Sequence, residues 1–268
     1  MKKLVFTLAT CCIMCACEQK TETNPFFTEF RTEYGAPDFD KIKIEHYEPA
    51  FLKGIEEQNA EIKAIVESRE TPGFENTIVA LDNSGRTLAR VKGVFYALTE
   101  ADTNDEMSAL SEKIAPVLSE HNDNIYLNQD LYKRVAAVWQ QEQEGKITLT
   151  TEQHRLLDRY YKAFIRSGAG LDAGKQNRLR EINKELSTLA ITFSNHVLNE
   201  NNAYRLVIDN EAELAGLPEW VKTGAAEEAK AVGKEGKWLF TLQNSSRLPL
   251  LQYADNRELR KDIYEAYI

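Results

Sequence analysis

The stretch of residues 172–201 reads DAGKQNRLREINKELSTLAITFSNHVLNEN, and it decides the fold class. Large apolar residues recur in it at alternating steps of three and four, which is the spacing of one face of an α-helix. These residues are Leu179, Ile182, Leu186, Leu189 and Phe193. We therefore predict one long helix, and we expect its apolar seam to pack nearly parallel to a neighbouring helix.

Helical periodicity continues on both sides of this stretch. The predicted helices cover residues 47–67, 74–99, 103–122, 129–143 and 150–167, and a last helix begins near residue 255. A kink is expected at Asn83-Ser84-Gly85, because a glycine inside a helix costs about 1 kcal/mol. Thr103 and Glu106 have the spacing of a capping box, and Pro116 should bend or split the helix that they open.

Two short segments interrupt the helical pattern. Residues 204–208 and 238–242 alternate in polarity and are bounded by Gly, Asp or Asn, which predicts two short strands around a helical excursion. The predicted fold class is mainly α, a multi-helix lobe with these two strands. The formal charge of −9 argues against a binder of duplex nucleic acid, which needs a basic surface to neutralise phosphates.

The first residues have the features of a bacterial export signal. Lys2 and Lys3 precede an apolar stretch, Leu4 to Ala16, that is too short to span a bilayer and suits a signal peptide. A small residue directly before Cys17 resembles a lipobox, in which the cysteine is acylated. We predict a lipoprotein signal peptide over residues 1–16, lipid attachment at Cys17, a polar tether over 17–24 and a lipid-anchored protein of the bacterial cell envelope. The alternative is an ordinary cleaved signal with incidental cysteines.

All four cysteines lie within this leader, at positions 11, 12, 15 and 17. Cleavage before Cys17 would remove three of them, and the lipid would occupy the sulfur of the fourth. The mature chain would then have no disulfide, no thiolate metal ligand and no cysteine nucleophile.

The four histidines do not form a metal-binding motif. None lies in an H-E-x-x-H sequence, which places two imidazoles one helical turn apart for zinc. We predict that His46 and His121 cap helices and that His154 pairs with Asp158 one turn away. His196 should be a packed, hydrogen-bonded histidine of the seam. No G-x-S-x-G elbow or glycine-rich phosphate loop is present either.

Seven collinear segments resemble one family of enzymes. They are 24–27 (NPFF), 44–51 (IEHYEPAF), 71–81 (TPGFENTIVAL), 193–198 (FSNHVL), 214–218 (LAGLP), 238–242 (WLFTL) and 250–260 (LLQYADNRELR). In this order they resemble the amino-terminal part of the thimet oligopeptidase-like zinc peptidases, most closely the dipeptidyl carboxypeptidase branch, alongside oligopeptidase A.

The resemblance implies a helical protein with two lobes around a channel that admits short peptides, and a zinc ion in the intact enzyme. The zinc helix and the third glutamate ligand of the family have no match here, so no catalytic or metal-binding residue is assigned. Residues 25–235 are interpreted as the amino-terminal lobe and 236–268 as the truncated start of the catalytic region. The missing catalytic lobe would pack on the carboxyl-terminal part, where Leu259, Ile263, Tyr264 and Tyr267 should form an exposed stripe.

Two functions follow as hypotheses. The first is an amino-terminal fragment of a lipid-anchored metallopeptidase. The intact enzyme would cleave dipeptides or short pieces from oligopeptides, and this chain alone would be inactive. The second is a free-standing envelope lipoprotein that binds peptides or acts as a helical scaffold. The DNA downstream of codon 268 would discriminate between them, because a continuing frame that encodes H-E-x-x-H fits only the first.

Overall fold

A computed structural model describes residues 24–268. The predicted signal peptide, the lipid attachment at Cys17 and most of the tether lie outside the described residues. Within them the chain is mainly α, which confirms the predicted fold class. None of the helices between residues 24 and 268 combines the length and the apolarity needed to cross a membrane.

The amino-terminal segment is tied to the helices that follow it. The Asn24 side-chain amide donates a hydrogen bond to the carbonyl of His46 at 2.7 Å, and the Phe26 ring is completely buried. The Arg90 guanidinium donates to the carbonyls of Phe26 and Thr28 at 3.0 and 3.1 Å. Residues 24–28 are therefore part of the packed structure rather than a free end.

The first three helices include the predicted kink, which lies between the second and the third. Helix α1 is Ile44–Glu67, a wide helical turn Phe74–Val79 leads into α2, Ala80–Asn83, and α3 is Arg86–Ala101. The predicted kink is a complete break, because Gly85 has a φ of +73° and starts a new helix. Its N–H donates to a carboxylate oxygen of Glu61 in α1 at 2.7 Å, which fixes the break against the first helix.

The next three helices lie close to the predicted spans, although the first of them covers residues 105–126 instead of the predicted 103–122. The helices are α4 (Asp105–Tyr126), α5 (Gln129–Gln143) and α6 (Thr151–Arg166). Asn104 caps α4 in place of the predicted Thr103, since its side chain accepts a hydrogen bond from the Met107 N–H at 2.9 Å. Pro116 does not split α4. The burial of Ile114 and Ala115 beside it offsets the one hydrogen bond that a proline removes.

Helix α7 spans Ala173–Ala203, and Asp172 caps its first turn by accepting from the Lys175 N–H at 3.0 Å. It packs against α4, but not through the apolar seam that the spacing predicts. None of the α7 side chains is buried, and four of the five seam residues are exposed, while Leu179 is half-buried. This expectation from the sequence is wrong, because the side chains that join α7 to α4 are mainly polar.

A smaller group of elements follows α7. Strand β1 (Leu206–Ile208) pairs antiparallel with β2 (Trp238–Phe240), so that Val207 lies opposite Leu239. The helices around them are α8 (Glu219–Ala231), α9 (Asn244–Tyr253) and α10 (Arg257–Tyr267). Both predicted strands are thereby confirmed. The predicted domain boundary at residue 235 stays a prediction, and the pairing of β1 with β2 crosses it.

Three hydrophobic clusters stabilise these parts. One joins α1, α3 and α4 around Phe51 and Phe95, whose rings meet edge to face at 5.3 Å. A second lies between α1, α5 and α6 around Leu131 and Phe164. The third is formed by the strands and α8 to α10, and it includes Phe240. Helix α7 contributes no side chain to any of the three clusters.

Candidate functional site

The histidines that end up on helix surfaces have different roles. His46 lies in the first turn of α1, and its Nδ1 accepts a hydrogen bond from the Lys43 N–H at 3.0 Å, which confirms the predicted capping role. His196 is exposed on α7, so the prediction of a packed, hydrogen-bonded histidine is wrong. His154 contacts Glu142 of α5 at 2.7 Å, whereas Asp158, its predicted partner, pairs with Lys162.

His121 is buried inside α4 and does not cap the helix end, in contrast to the prediction. Its Nε2 lies 2.7 Å from Oε1 of Gln58, and the amide of Gln58 donates to the Ser84 hydroxyl at 3.1 Å. Gln58 Oε1 is therefore the acceptor, and Nε2 carries the proton of a neutral imidazole. Burial lowers the pKa of His121, and the charge of Lys92 lowers it further. This histidine therefore joins α4 to α1 and, through Gln58, to the break between α2 and α3.

The residues between 24 and 268 do not fit a zinc ion. Catalytic zinc sites use three protein ligands, and the described part of the chain contains no group of three or more His, Cys, Asp or Glu side chains that could hold a metal. The four histidines do not come together, since His121 is buried in α4 and the other three lie apart on α1, α6 and α7.

Polar side chains join α7 to α4. The Asn183 amide donates to the carboxylate of Asp123 at 2.7 Å, and the Arg180 guanidinium donates to the Asn124 side chain at 2.8 Å. Burial raises the pKa of Asp123, while the hydrogen bond from Asn183 and the charge of Arg180 oppose that rise. The face of α7 that contacts α4 is thus largely hydrophilic.

A polar cleft opens where the amino-terminal half of α4 faces the carboxyl-terminal half of α7. Its volume is about 430 Å³, and residues of both helices line it, among them Ser108, Glu112 and His196. The Asn195 amide crosses the cleft and donates to Glu112 at 2.8 Å. The amide, carboxylate and imidazole groups here can donate to and accept from a peptide backbone, which makes the cleft a candidate for binding extended peptides.

The apolar seam of α7 lies on its outer side. Phe193 is 70% exposed, Leu186 57% and Leu189 54%, and Ile182 and Val197 are also exposed. We call these five residues the α7 stripe. The periodicity of the sequence identified four of them, but their environment depends on which side of the helix meets α4.

The exposed stripe that was predicted for the last helix is only partly exposed. Leu259 and Ile263 are buried in the third hydrophobic cluster, which corrects the expectation that they are exposed. Tyr264 and Tyr267 are half-exposed, as expected. The Arg247 guanidinium lies 3.4 Å from the centre of the Tyr267 ring, a contact that sequence spacing did not suggest. Helix α10 is therefore covered on one side by the chain's own residues.

Comparison with known proteins identifies relatives for nearly the whole chain. Dipeptidyl carboxypeptidase of Escherichia coli K12 is 39% identical over 246 residues, which are 92% of this chain and 36% of that protein. Oligopeptidase A of Salmonella typhimurium LT2 is 33% identical over 245 residues, 91% of this chain and 35% of the relative. Saccharolysin of Saccharomyces cerevisiae is 25% identical over 199 residues, 74% of this chain. No protein-family model matches the chain. The chain spans about a third of the length of the curated relatives it matches.

Proposed function

We propose that this chain, which is similar to dipeptidyl carboxypeptidase and oligopeptidase A over about nine-tenths of its length, forms the amino-terminal lobe of a zinc metallopeptidase. The intact enzyme would cleave dipeptides or short pieces from oligopeptides. The observation that carries this proposal is the 39% identity over 92% of the chain to a protein named dipeptidyl carboxypeptidase.

In this proposal the chemistry lies outside residues 24–268. A zinc ion in such enzymes polarises the scissile carbonyl and lowers the pKa of a bound water, and the described residues do not fit that ion. The contribution of this chain is to bind and orient the substrate. The cleft between α4 and α7 would form part of a channel wall, with Asn195 and Glu112 as hydrogen-bonding groups for the peptide backbone.

The experiment compares two proteins. The first is the chain from Glu18 to Ile268, for which we expect no stoichiometric zinc and no release of dipeptides from short peptides. The second is a chimera of E. coli dipeptidyl carboxypeptidase in which the aligned residues are replaced by those of this chain. We expect the chimera to be active, because the two sequences share 39% of the aligned positions. Tight zinc with activity in the first protein, or a folded but inactive chimera, would contradict the proposal.

A second candidate is a free-standing lipoprotein that binds peptides, and the polar cleft of about 430 Å³ is the observation that favours it. In this case the chain from Glu18 to Ile268 would bind short peptides by itself in calorimetry. A chain that binds no peptide alone, together with an active chimera, would favour the peptidase lobe.

We also propose a lipid-anchored location in the bacterial cell envelope, on the basis of the leader and of Cys17. Expression of residues 1–268 in bacteria with labelled palmitate should give a labelled, membrane-associated protein. The variant Cys17→Ser should lose the label, and Cys15→Ser should retain it. Equal labelling of the two variants would argue against Cys17 as the site.

A further inference from the structure

We propose that the α7 stripe is a docking surface, and that its occupant is the part of the peptidase that this chain does not span. The inference rests on the proposed function, because it takes the chain to be one lobe of a longer enzyme. It assigns the contact between the lobes to the outer face of α7, in addition to the carboxyl-terminal helix.

The polarity of α7 is the reverse of that expected for a surface helix. A helix on the surface of a protein normally turns its apolar side to the core and its polar side to water. Here the amide of Asn183 and the guanidinium of Arg180 meet α4, while Phe193 and Leu189 are exposed to solvent. The helix is therefore partnered on its hydrophilic side and lacks a described partner on its hydrophobic side.

The α7 stripe has the shape of an interaction surface. Single exposed apolar residues are ordinary, whereas a contiguous apolar row on a monomer marks an interaction surface. The row extends from Ile182 to Val197, which corresponds to about 22 Å of helix at 1.5 Å per residue. Side chains that are spaced by three and four residues form the ridges with which one helix packs against another. The occupant should therefore present an apolar helix or ridge of similar length.

The occupant of the stripe is inferred from the length of the relatives. E. coli dipeptidyl carboxypeptidase matches this chain over only 36% of its own length, so nearly two-thirds of that protein lies outside the match. The described residues of this chain already complete three hydrophobic clusters without α7. A long helix that contributes to none of these clusters is suited to pack against another part of the same enzyme. We therefore favour this occupant over a second copy of the chain.

Cysteine labelling measures whether the stripe is covered. The chain from Glu18 onward contains no cysteine, so single cysteines can be introduced as Leu186→Cys, Phe193→Cys and, off the stripe, Thr188→Cys. All three positions are exposed on α7, so the substitutions do not disturb a buried cluster. Each variant is made in the chain from Glu18 to Ile268 and in the chimera with E. coli dipeptidyl carboxypeptidase. Maleimide labelling of the peptide that carries the cysteine is followed by mass spectrometry.

We expect labelling at positions 186 and 193 to be at least ten-fold slower in the chimera than in the shorter chain, and labelling at 188 to differ less than two-fold. Equal rates at 193 in the two proteins would overturn the inference, even if the chimera is an active peptidase. Slowing that already occurs in the shorter chain as its concentration rises would overturn it in favour of a second copy. Protection of 186 and 193 in an inactive chimera would support the docking surface and count against the proposed function.

Discussion

The variant Gly216→Ala is expected to lose about 3–5 kcal/mol of unfolding free energy in the part of the chain that contains β1, β2 and α8 to α10. Gly216 has a φ of +85°, which is costly for any residue with a Cβ. An alanine Cβ would also overlap the backbone carbonyl oxygen of Tyr253 and would lie 2.8 Å from the Asp255 carboxyl carbon. Because one obstacle is backbone, a side-chain rotation cannot relieve the overlap.

A backbone hydrogen bond joins the segment around Gly216 to the segment that precedes α10. The Asp255 N–H donates to the carbonyl of Ala215 at 2.8 Å, so residues 215 and 216 are fixed against the start of α10. Urea unfolding followed by tryptophan fluorescence is a suitable measurement, since Trp220 and Trp238 lie in this part of the chain. The alanine variant should unfold at a much lower urea concentration than the parent.

Gly233→Ala is the matched control. Gly233 has a similar φ of +74°, but nothing lies within 4 Å of the position that its Cβ would take. We expect this variant to lose only the conformational cost, about 1 kcal/mol. If both alanine variants lose the same free energy, the close approach of Tyr253 is not the reason for the glycine at position 216.

The variant Arg134→Met is also expected to have a large effect, a loss of about 3 kcal/mol of global unfolding free energy. Arg134 is buried in α5, and its guanidinium donates to the carbonyls of Ser68 and Glu70 at 3.1 and 3.3 Å and to Asn76 Oδ1 at 3.4 Å. Methionine keeps most of the apolar volume but leaves these acceptors without the charged donor. Leaving buried acceptors unpaired is the larger part of the cost.

The same contacts order the turn between α1 and α2. Asn76 also accepts from the Gly73 N–H at 2.8 Å and donates to the carbonyl of Thr71 at 3.0 Å, so Arg134 supports the whole turn. The control is Arg178→Met on α7, whose only described contact is an exposed ion pair with Glu181. It should change the unfolding free energy by less than about 0.5 kcal/mol. Equal urea midpoints for the two variants would contradict the role given to Arg134.

The local patterns in the sequence were sufficient for most of the elements, although helix α9 was not predicted. The predicted helix 129–143 is confirmed as α5, and Asp172 marks the start of α7 because its side chain caps the first turn. The two short strands are confirmed at Leu206–Ile208 and Trp238–Phe240. These features depend on contacts over a few residues, on backbone preferences and on periodicity, all of which the sequence displays directly.

The candidate site was less predictable. His154 and Asp158 are one turn apart on α6, but the imidazole pairs with Glu142 of α5 instead. His121 has the sequence context of a helix end, yet α4 continues past it to Tyr126 and the side chain bonds to Gln58 across the fold. In both histidines a contact between helices replaced one within a helix, and sequence spacing carries no information about such pairs.

The sequence by itself determined that this protein is mainly α, where most of its helices lie, and that one long helix carries an apolar stripe. Only the tertiary structure decided which side of that helix meets the rest of the chain. The reason is that a period of 3.6 residues reports the existence of a stripe but not its partner. Asn183 and Arg180 hold the polar side against α4 by hydrogen bonds, and Phe193 is left on the surface.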